Sequence, residues 1–354
     1  MMYGSKYTLG LIDSMAIGNI SDKEVISDID SRLVELQKEK QRFFDQRREY
    51  NKLVSQDGRS EHLEGIVQEA ANNLSNTVGL VFDRPVEYSL EFDDDTEAVV
   101  VFSDWHYGLT ADNVFNKYNT DICKQRVKSV VDQMINRIVL HKCSRLHVVV
   151  LGDLWHGAIH VGARVASEEL VCDQIMEVSE ILAQAIVRLS SVVDNVDIHT
   201  TYGNHARTVP NKKESVHRDN IERLVPWWLK WRLKEFDNIE IAEDTGSEFI
   251  FVNSCGHNIC ASHGDLDGVK SSPRLLYTLF QKTYGIDIEY IILGDKHHTE
   301  SFNELGITAE ICGSLCGSDD YANSKRLFSN PSQMLLIVNK AVGVDAEYRI
   351  KCDL

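Results

Sequence analysis

The chain has 354 residues, 43% of them hydrophobic, with 54 acidic against 37 basic side chains and a formal net charge of −17. That length is enough for one well-buried catalytic domain plus an accessory segment, and the acidic balance argues against a broad, non-specific polyanion surface. No stretch is long and apolar enough to span a bilayer, the N-terminus lacks a basic-then-apolar signal pattern, and the eight cysteines form no paired CxxC site, so a cytoplasmic protein with reduced, mostly buried thiols is expected and no membrane partner.

The first ninety residues differ in kind from the rest. Ser21-Asp22-Lys23-Glu24 forms a capping box that opens a long polar helix reaching about Val54. Ile26, Ile29, Leu33, Leu36, Phe43, Tyr50 and Val54 recur at three- and four-residue steps, interrupted at Lys40 and Arg47, as a heptad-like seam. Its length exceeds that of most domain-packed helices, which favours pairing with a second copy of the chain over packing on the catalytic domain. A turn at Gly58 and a second helix over 61–74 follow. Pro85 and the acidic run 91–95 read as a linker or exposed edge. The expected division is therefore 1–90, a helical accessory and oligomerisation segment, and 91–354, a catalytic domain.

Within 91–354, β-prone runs are followed by short polar blocks. Run 98–102 precedes Asp104-Trp105-His106, run 146–151 precedes Gly152-Asp153, and Gly203-Asn204-His205 comes next. Run 259–261 precedes His263-Gly264, and Tyr290–Leu293 precedes Gly294-Asp295-Lys296-His297. Helices are expected over 165–190 and 217–236. Trp227, Trp228 and Trp231 in the second of these have helical spacing and read as core more readily than as a base-stacking platform. Gly313-Ser314-Leu315-Cys316-Gly317 reads as a pocket wall, and 334–338 as a late strand.

The polar blocks share one chemistry. Two divalent cations roughly 3.5 to 4 Å apart need one carboxylate between them, with imidazoles and oxygens completing each coordination sphere. Strand ends in open α/β folds are where such ligands gather. An isolated Asp-x-His or Gly-Asp pair is common at any solvated strand end; five blocks in this order are not.

Taken in order, D-x-H, G-D, G-N-H, a lone His and a G-x-x-H block, these residues resemble the calcineurin-like metallophosphoesterase superfamily over about residues 97–317. The resemblance implies a four-layer α/β/β/α sandwich preceded by the N-terminal helical segment. It implies one metal held by Asp104, His106, Asp153 and His297, with Asp153 bridging to a second held by Asn204 and His263. It also implies His205 beside the phosphate as general acid or transition-state stabiliser, and a metal-bridging hydroxide as nucleophile. Where the family has the first His of G-H-x-H, this chain has Asp295, which is expected to serve as a substitute ligand, with His298 the next candidate. A carboxylate there favours harder ions, Mn²⁺ first and Mg²⁺ next.

The contexts of Gly152-Asp153, His263-Gly264 and Gly294-Asp295 look more like the DNA repair exonuclease branch, which includes phage-encoded proteins, than like the protein phosphatases. A metal-dependent DNA nuclease, exonuclease or endonuclease, is the expected activity, with DNA as partner. The alternatives are a phosphomonoesterase or small-nucleotide phosphodiesterase, and a structural or assembly protein with a remnant metal site. Arg207, His156 and Lys212 are the expected substrate contacts, with Lys213 and Arg218 nearby in sequence. His257 competes weakly with His263 as a ligand, and His156 and His160, which closely follow Asp153, read more readily as residues behind the ligands or on the surface than as ligands themselves.

Overall fold

The computed structural model describes residues 91–352 apart from 158, 160–166, 243–247, 325 and 327, together with 35, 38, 40–42, 81, 82, 88 and 90. The chain divides into two compact units, Met1–Ile66 and Val67–Leu354. In the first, Glu35, Lys38, Lys40, Gln41 and Arg42 are helical and exposed. The capping box, the heptad seam, the turn at Gly58, the helix over 61–74, Pro85 and His160 lie outside the described residues.

The described elements of the second unit begin with β1 (Asp93–Phe102), a small hairpin of β2 (Ala111–Asp112) and β3 (Lys117–Tyr118), and α1 (Thr120–Leu140). They continue through β4 (Cys143–Val150), α2 (Val171–Ser190), β5 (Asn195–Thr200), a 3-10 turn (Ile221–Arg223), α3 (Leu224–Arg232) and β6 (Ile239–Ile241). Next come β7 (Phe249–Ser254), β8 (His257–Ser262), α4 (Ser272–Tyr284), β9 (Tyr290–Leu293), β10 (Ser301–Glu304) and β11 (Ile307–Ile311). The unit closes with α5 (Asp320–Ser324), β12 (Ser332–Asn339) and β13 (Gly343–Lys351).

These strands form two sheets, one in the order β13-β12-β1-β4-β5-β6 and one in the order β10-β11-β9-β8-β7. Alternation along each strand explains the layering. Ala98, Val100 and Phe102 of β1, with Leu146, Val148 and Val150 of β4, face a core shared with α1, α2 and α3. Val99, Val101 and Val149 point the other way and meet Ile250, Ile259, Ala261 and Ile292 of the second sheet. Ile291 and Leu293 of β9 then pack on Leu276 and Phe280 of α4. A strand buried on both faces needs apolar residues at successive positions, which is why these runs read as continuous. The result is helix, sheet, sheet, helix, the expected four-layer α/β/β/α sandwich.

Register brings the functional strand ends level. Phe102 pairs with Val150 and Val150 with Thr200 in the parallel part of the first sheet. Leu293 pairs with Ser262 and with Ile311 in the second. The loops that leave β1, β4, β5, β8, β9 and β11 therefore emerge at matched heights.

Three expectations are corrected. The helix expected from 165 begins at Val171, because Ser167 bridges to Leu109 and the Glu168 amide donates to the Gly108 carbonyl, which holds that backbone extended. The helix expected over 217–236 is a 3-10 turn followed by the short α3. Its start is delayed by an extended bridge between Arg207 and Asn220, whose side chain then accepts from the Glu222 amide. The acidic run is not a linker throughout: Asp93 already starts β1, with its first three residues exposed. Of the three tryptophans, Trp228 is buried in the core and Trp231 is exposed.

Candidate metal centre

Five strand-end loops deliver the polar blocks to one place. Asp104 and His106 follow β1, Asp153 follows β4, Asn204 and His205 follow β5, His263 follows β8, and Asp295 and His297 follow β9. The backbone is shaped for this delivery. Asp104, His106, Asp153, Asp295 and His297 all have positive φ, at 52°, 45°, 50°, 66° and 57°. Left-handed backbone is cheapest for Asp, Asn and His among residues with a side chain, and its clustering at one site marks a functional constraint. Gly152 also has positive φ, and a Cβ there would lie 2.2 Å from the Gly203 nitrogen. The β4 and β5 loops can approach this closely only with glycine at that position.

Two groups of donors meet at Asp153. In the first, His106 Nε2 lies 3.0 Å from His297 Nε2, 3.6 Å from Asp104 Oδ1 and 3.9 Å from Asp153 Oδ2. His297 Nε2 is 3.3 Å from the same Asp104 oxygen. In the second, His263 Nε2 lies 3.4 Å from Asp153 Oδ2 and 3.6 Å from Asp295 Oδ1. Asn204 Nδ2 donates to Asp295 Oδ1 at 2.7 Å and lies 3.5 Å from His263 Nε2. The Asp153 carboxylate is thus the group that both sets share.

These donors fit cations. Asp104 Oδ1 is buried with no hydrogen bond among the described residues, and two imidazole nitrogens converge beside it. The His263 Nδ1 proton goes to the Leu151 carbonyl at 2.9 Å, so Nε2 is the ring nitrogen turned to Asp153 and Asp295. Electrostatics agree. Burial works against charge on Asp104, but the His106 and His297 imidazoles beside it hold its carboxyl well below the usual range. Asp153 is lowered too, with burial outweighed by His263 and His205. Burial disfavours imidazolium at His263, yet Asp153 pushes it up to about 10. Carboxylates buried this deeply demand positive charge next to them.

The remaining residues stand around this centre. The His205 amide donates to Asp153 Oδ1 at 2.8 Å, and its Nδ1 donates to the His156 carbonyl at 2.8 Å. A carbonyl only accepts, so His205 Nδ1 carries a proton. The His205 and His156 rings lie 4.6 and 5.8 Å from the His106 ring, and all three offer nitrogens within 4.8 Å of one another. Arg207 is buried, with NH1 at 3.4 Å from Asn204 Oδ1. Lys212 is drawn instead to Asp265 at 2.8 Å. His298 is half-exposed and turned to the Lys296 carbonyl and Glu300, and His257 pairs with Glu289, so neither joins the cluster.

Two contributors were not singled out as site residues in the sequence. Glu222, in the 3-10 turn, is buried and accepts from the backbone amides of Asp153 at 3.0 Å, Leu154 at 2.7 Å and Gly203 at 2.7 Å. Neighbouring Asn220 donates to the Gly203 carbonyl at 2.7 Å, so one turn clamps the loops that follow β4 and β5. Burial and the Asp153 charge push the Glu222 carboxyl up to about 7. Cys316, on the loop after β11, places its sulfur within 4.8 Å of ligand nitrogens of His106 and His297. Glu222 lies 69 positions from Asp153, and no local pattern announces such a contact.

No family model matches the chain. A curated relative from Bacillus subtilis (strain 168), described as an uncharacterized SPbeta prophage-derived protein, YonJ, is 23% identical over 332 residues, covering 91% of this chain and 79% of the relative. Among solved structures, an archaeal phosphodiesterase is 15% identical with a TM-score of 0.35, covering 72% of this chain and 99% of that one. Zinc-bound Vps29 from Entamoeba histolytica is 14% identical with a TM-score of 0.33, again covering 72% and 99%. At such values these likenesses decide neither fold nor chemistry.

Proposed function

We propose that the protein is a dinuclear metal-dependent phosphodiesterase that acts on DNA as a nuclease. The observation that carries this reading is the Asp153 carboxylate, buried and shared between two convergent donor sets. Asp104, His106, Asp153 and His297 would hold one divalent cation, and Asp153, Asn204, His263 and Asp295 the other, with Mn²⁺ the first choice for a set rich in oxygen donors. Bound there, two such cations neutralise phosphoryl oxygens and lower the pKa of an attacking water.

The chain's own residues do the rest. His205 is anchored at its amide by Asp153 and at Nδ1 by the His156 carbonyl, which leaves Nε2 as the ring atom that, in the imidazolium form, would give its proton to the leaving oxygen. Arg207, held against Asn204, supplies a fixed cation beside the second set for a phosphate oxygen. His156 backs His205, and Arg218 supplies charge on the following loop. With a net charge of −17, DNA contact must be local and led by the metal centre rather than spread over the surface. The prophage description of the curated relative supports a phage origin.

A second reading, a phosphomonoesterase or small-nucleotide phosphodiesterase, draws on the same acidity and on the Lys212–Asp265 pair, which removes one cation from a strand path. End-labelled single- and double-stranded DNA incubated with Mn²⁺ decides between them. Cleavage that falls about a hundredfold or more in His205→Ala supports the nuclease. Turnover of small phosphoesters with intact DNA supports the alternative.

A further inference from the structure

The two donor sets differ in softness once Cys316 is counted. The first has two imidazole nitrogens, His106 and His297, and a thiol within reach of both. The second has a single imidazole nitrogen, His263, with the carboxylates of Asp153 and Asp295 and the side-chain amide of Asn204. The thiol is not a loosely placed side chain. Cys316 is fully buried, and its amide donates to the Asp104 carbonyl at 3.4 Å. Its own carbonyl accepts from Arg126 NH1 at 2.8 Å and from Asn116 Nδ2 at 2.7 Å, both buried residues. Loop 313–317 is thereby tied to the loop that carries Asp104 and His106. A second observation concerns the same two imidazoles: Asp104 Oδ1, fully buried, lies 3.3 Å from His297 Nε2 and 3.6 Å from His106 Nε2, and has no hydrogen bond among the described residues.

We propose that Cys316 is a thiolate ligand of the first metal position, which makes the centre asymmetric. The first position then selects a thiophilic divalent ion such as Zn²⁺, and the second, with Asp295 in place of a histidine, selects a hard ion such as Mn²⁺ or Mg²⁺. This rests on the dinuclear reading above. Binding breaks the S–H bond: the sulfur keeps the electron pair as a donor to the ion, and the proton passes to solvent.

The test is optical and independent of turnover. The full-length reduced protein, stripped of metal, is titrated with Co²⁺ under nitrogen. A sulfur-to-cobalt charge-transfer band in the near ultraviolet is expected with the first equivalent. It should be absent in Cys316→Ser or Cys316→Ala and intact in Cys312→Ser, a buried cysteine outside the donor cluster. Competition should also show the preference of the first position for Zn²⁺ over Mn²⁺ falling about tenfold or more in the Cys316 variants. Two bound Co²⁺ with visible d–d bands but no sulfur band overturn the thiolate and leave the dinuclear reading standing. A sulfur band that survives in both Cys316 variants overturns it as well. Failure to take up Co²⁺ at all overturns both readings. The wild-type spectrum together with Cys312→Ser remains decisive even where a Cys316 variant does not fold.

Discussion

Asp295 makes contacts that a histidine in its place would not. Its two oxygens accept from Asn204 and from Lys296, both at 2.7 Å, so the carboxylate is already oriented among the second donor set with its charge matched. Asp295→Ala should weaken the second cation by about a hundredfold or more, since even outer-shell changes cost ten- to a hundredfold. Asp295→His should restore binding while shifting preference away from Mg²⁺. Full metal content and activity in Asp295→Ala would rule the ligand role out. Glu222 is tested separately. Glu222→Ala leaves three buried backbone N–H groups without an acceptor, at a cost of about 1–3 kcal/mol for each. Chemical denaturation should therefore show a loss of about 3 kcal/mol or more, and a smaller loss in Glu222→Gln, which keeps one carbonyl oxygen.

The two sheets are joined by more than their apolar faces. On one flank Glu97 of β1 accepts from Ser254 at 2.8 Å and from the Cys255 amide at 3.1 Å, at the end of β7. On the other, Tyr290 of β9 donates to Glu310 of β11 at 2.6 Å and lies 3.2 Å from Glu347 of β13, while Arg349 reaches Glu310 at 2.9 Å. Burial, then the nearby Glu347 carboxylate, pushes Glu310 up to about 7 from 4.5. A carboxyl whose folded value is raised binds its proton more tightly when folded. Its stabilising contribution is complete below about pH 4.5 and is lost as pH rises through about 7. Glu310→Gln should flatten that part of the stability profile, so the melting temperature should fall less than in wild type between about pH 4.5 and pH 8. An unchanged profile would show that Arg349 already compensates the charge.

At the scale of the whole molecule, the sandwich and most of its centre were legible because they follow local rules. Runs such as 98–102 and Tyr290–Leu293 are apolar on both faces and end in Asp, His or Gly, so strand and strand-end chemistry are adjacent in the chain. Asp104, His106, Asp153, Asn204, His205, His263, Asp295 and His297 are all brought together. Glu222 and Asn220 escaped because their contacts depend on loops distant in sequence meeting in space, and Cys316 was legible only as part of a pocket wall. The start of α2 and the break before α3 escaped because tertiary bridges at Ser167 and Asn220 override the helical pattern of the sequence.

The measurement that bears most directly on the centre is hydrolysis of bis-p-nitrophenyl phosphate by the metal-stripped protein as Mn²⁺ is added in known equivalents, with Asp153→Ala alongside. If Asp153 joins two metal positions, turnover stays near background through the first equivalent, rises as the second binds, and is absent from Asp153→Ala at every Mn²⁺ level. Full turnover with one equivalent, or hydrolysis that persists without Asp153, would contradict a dinuclear centre built on this carboxylate.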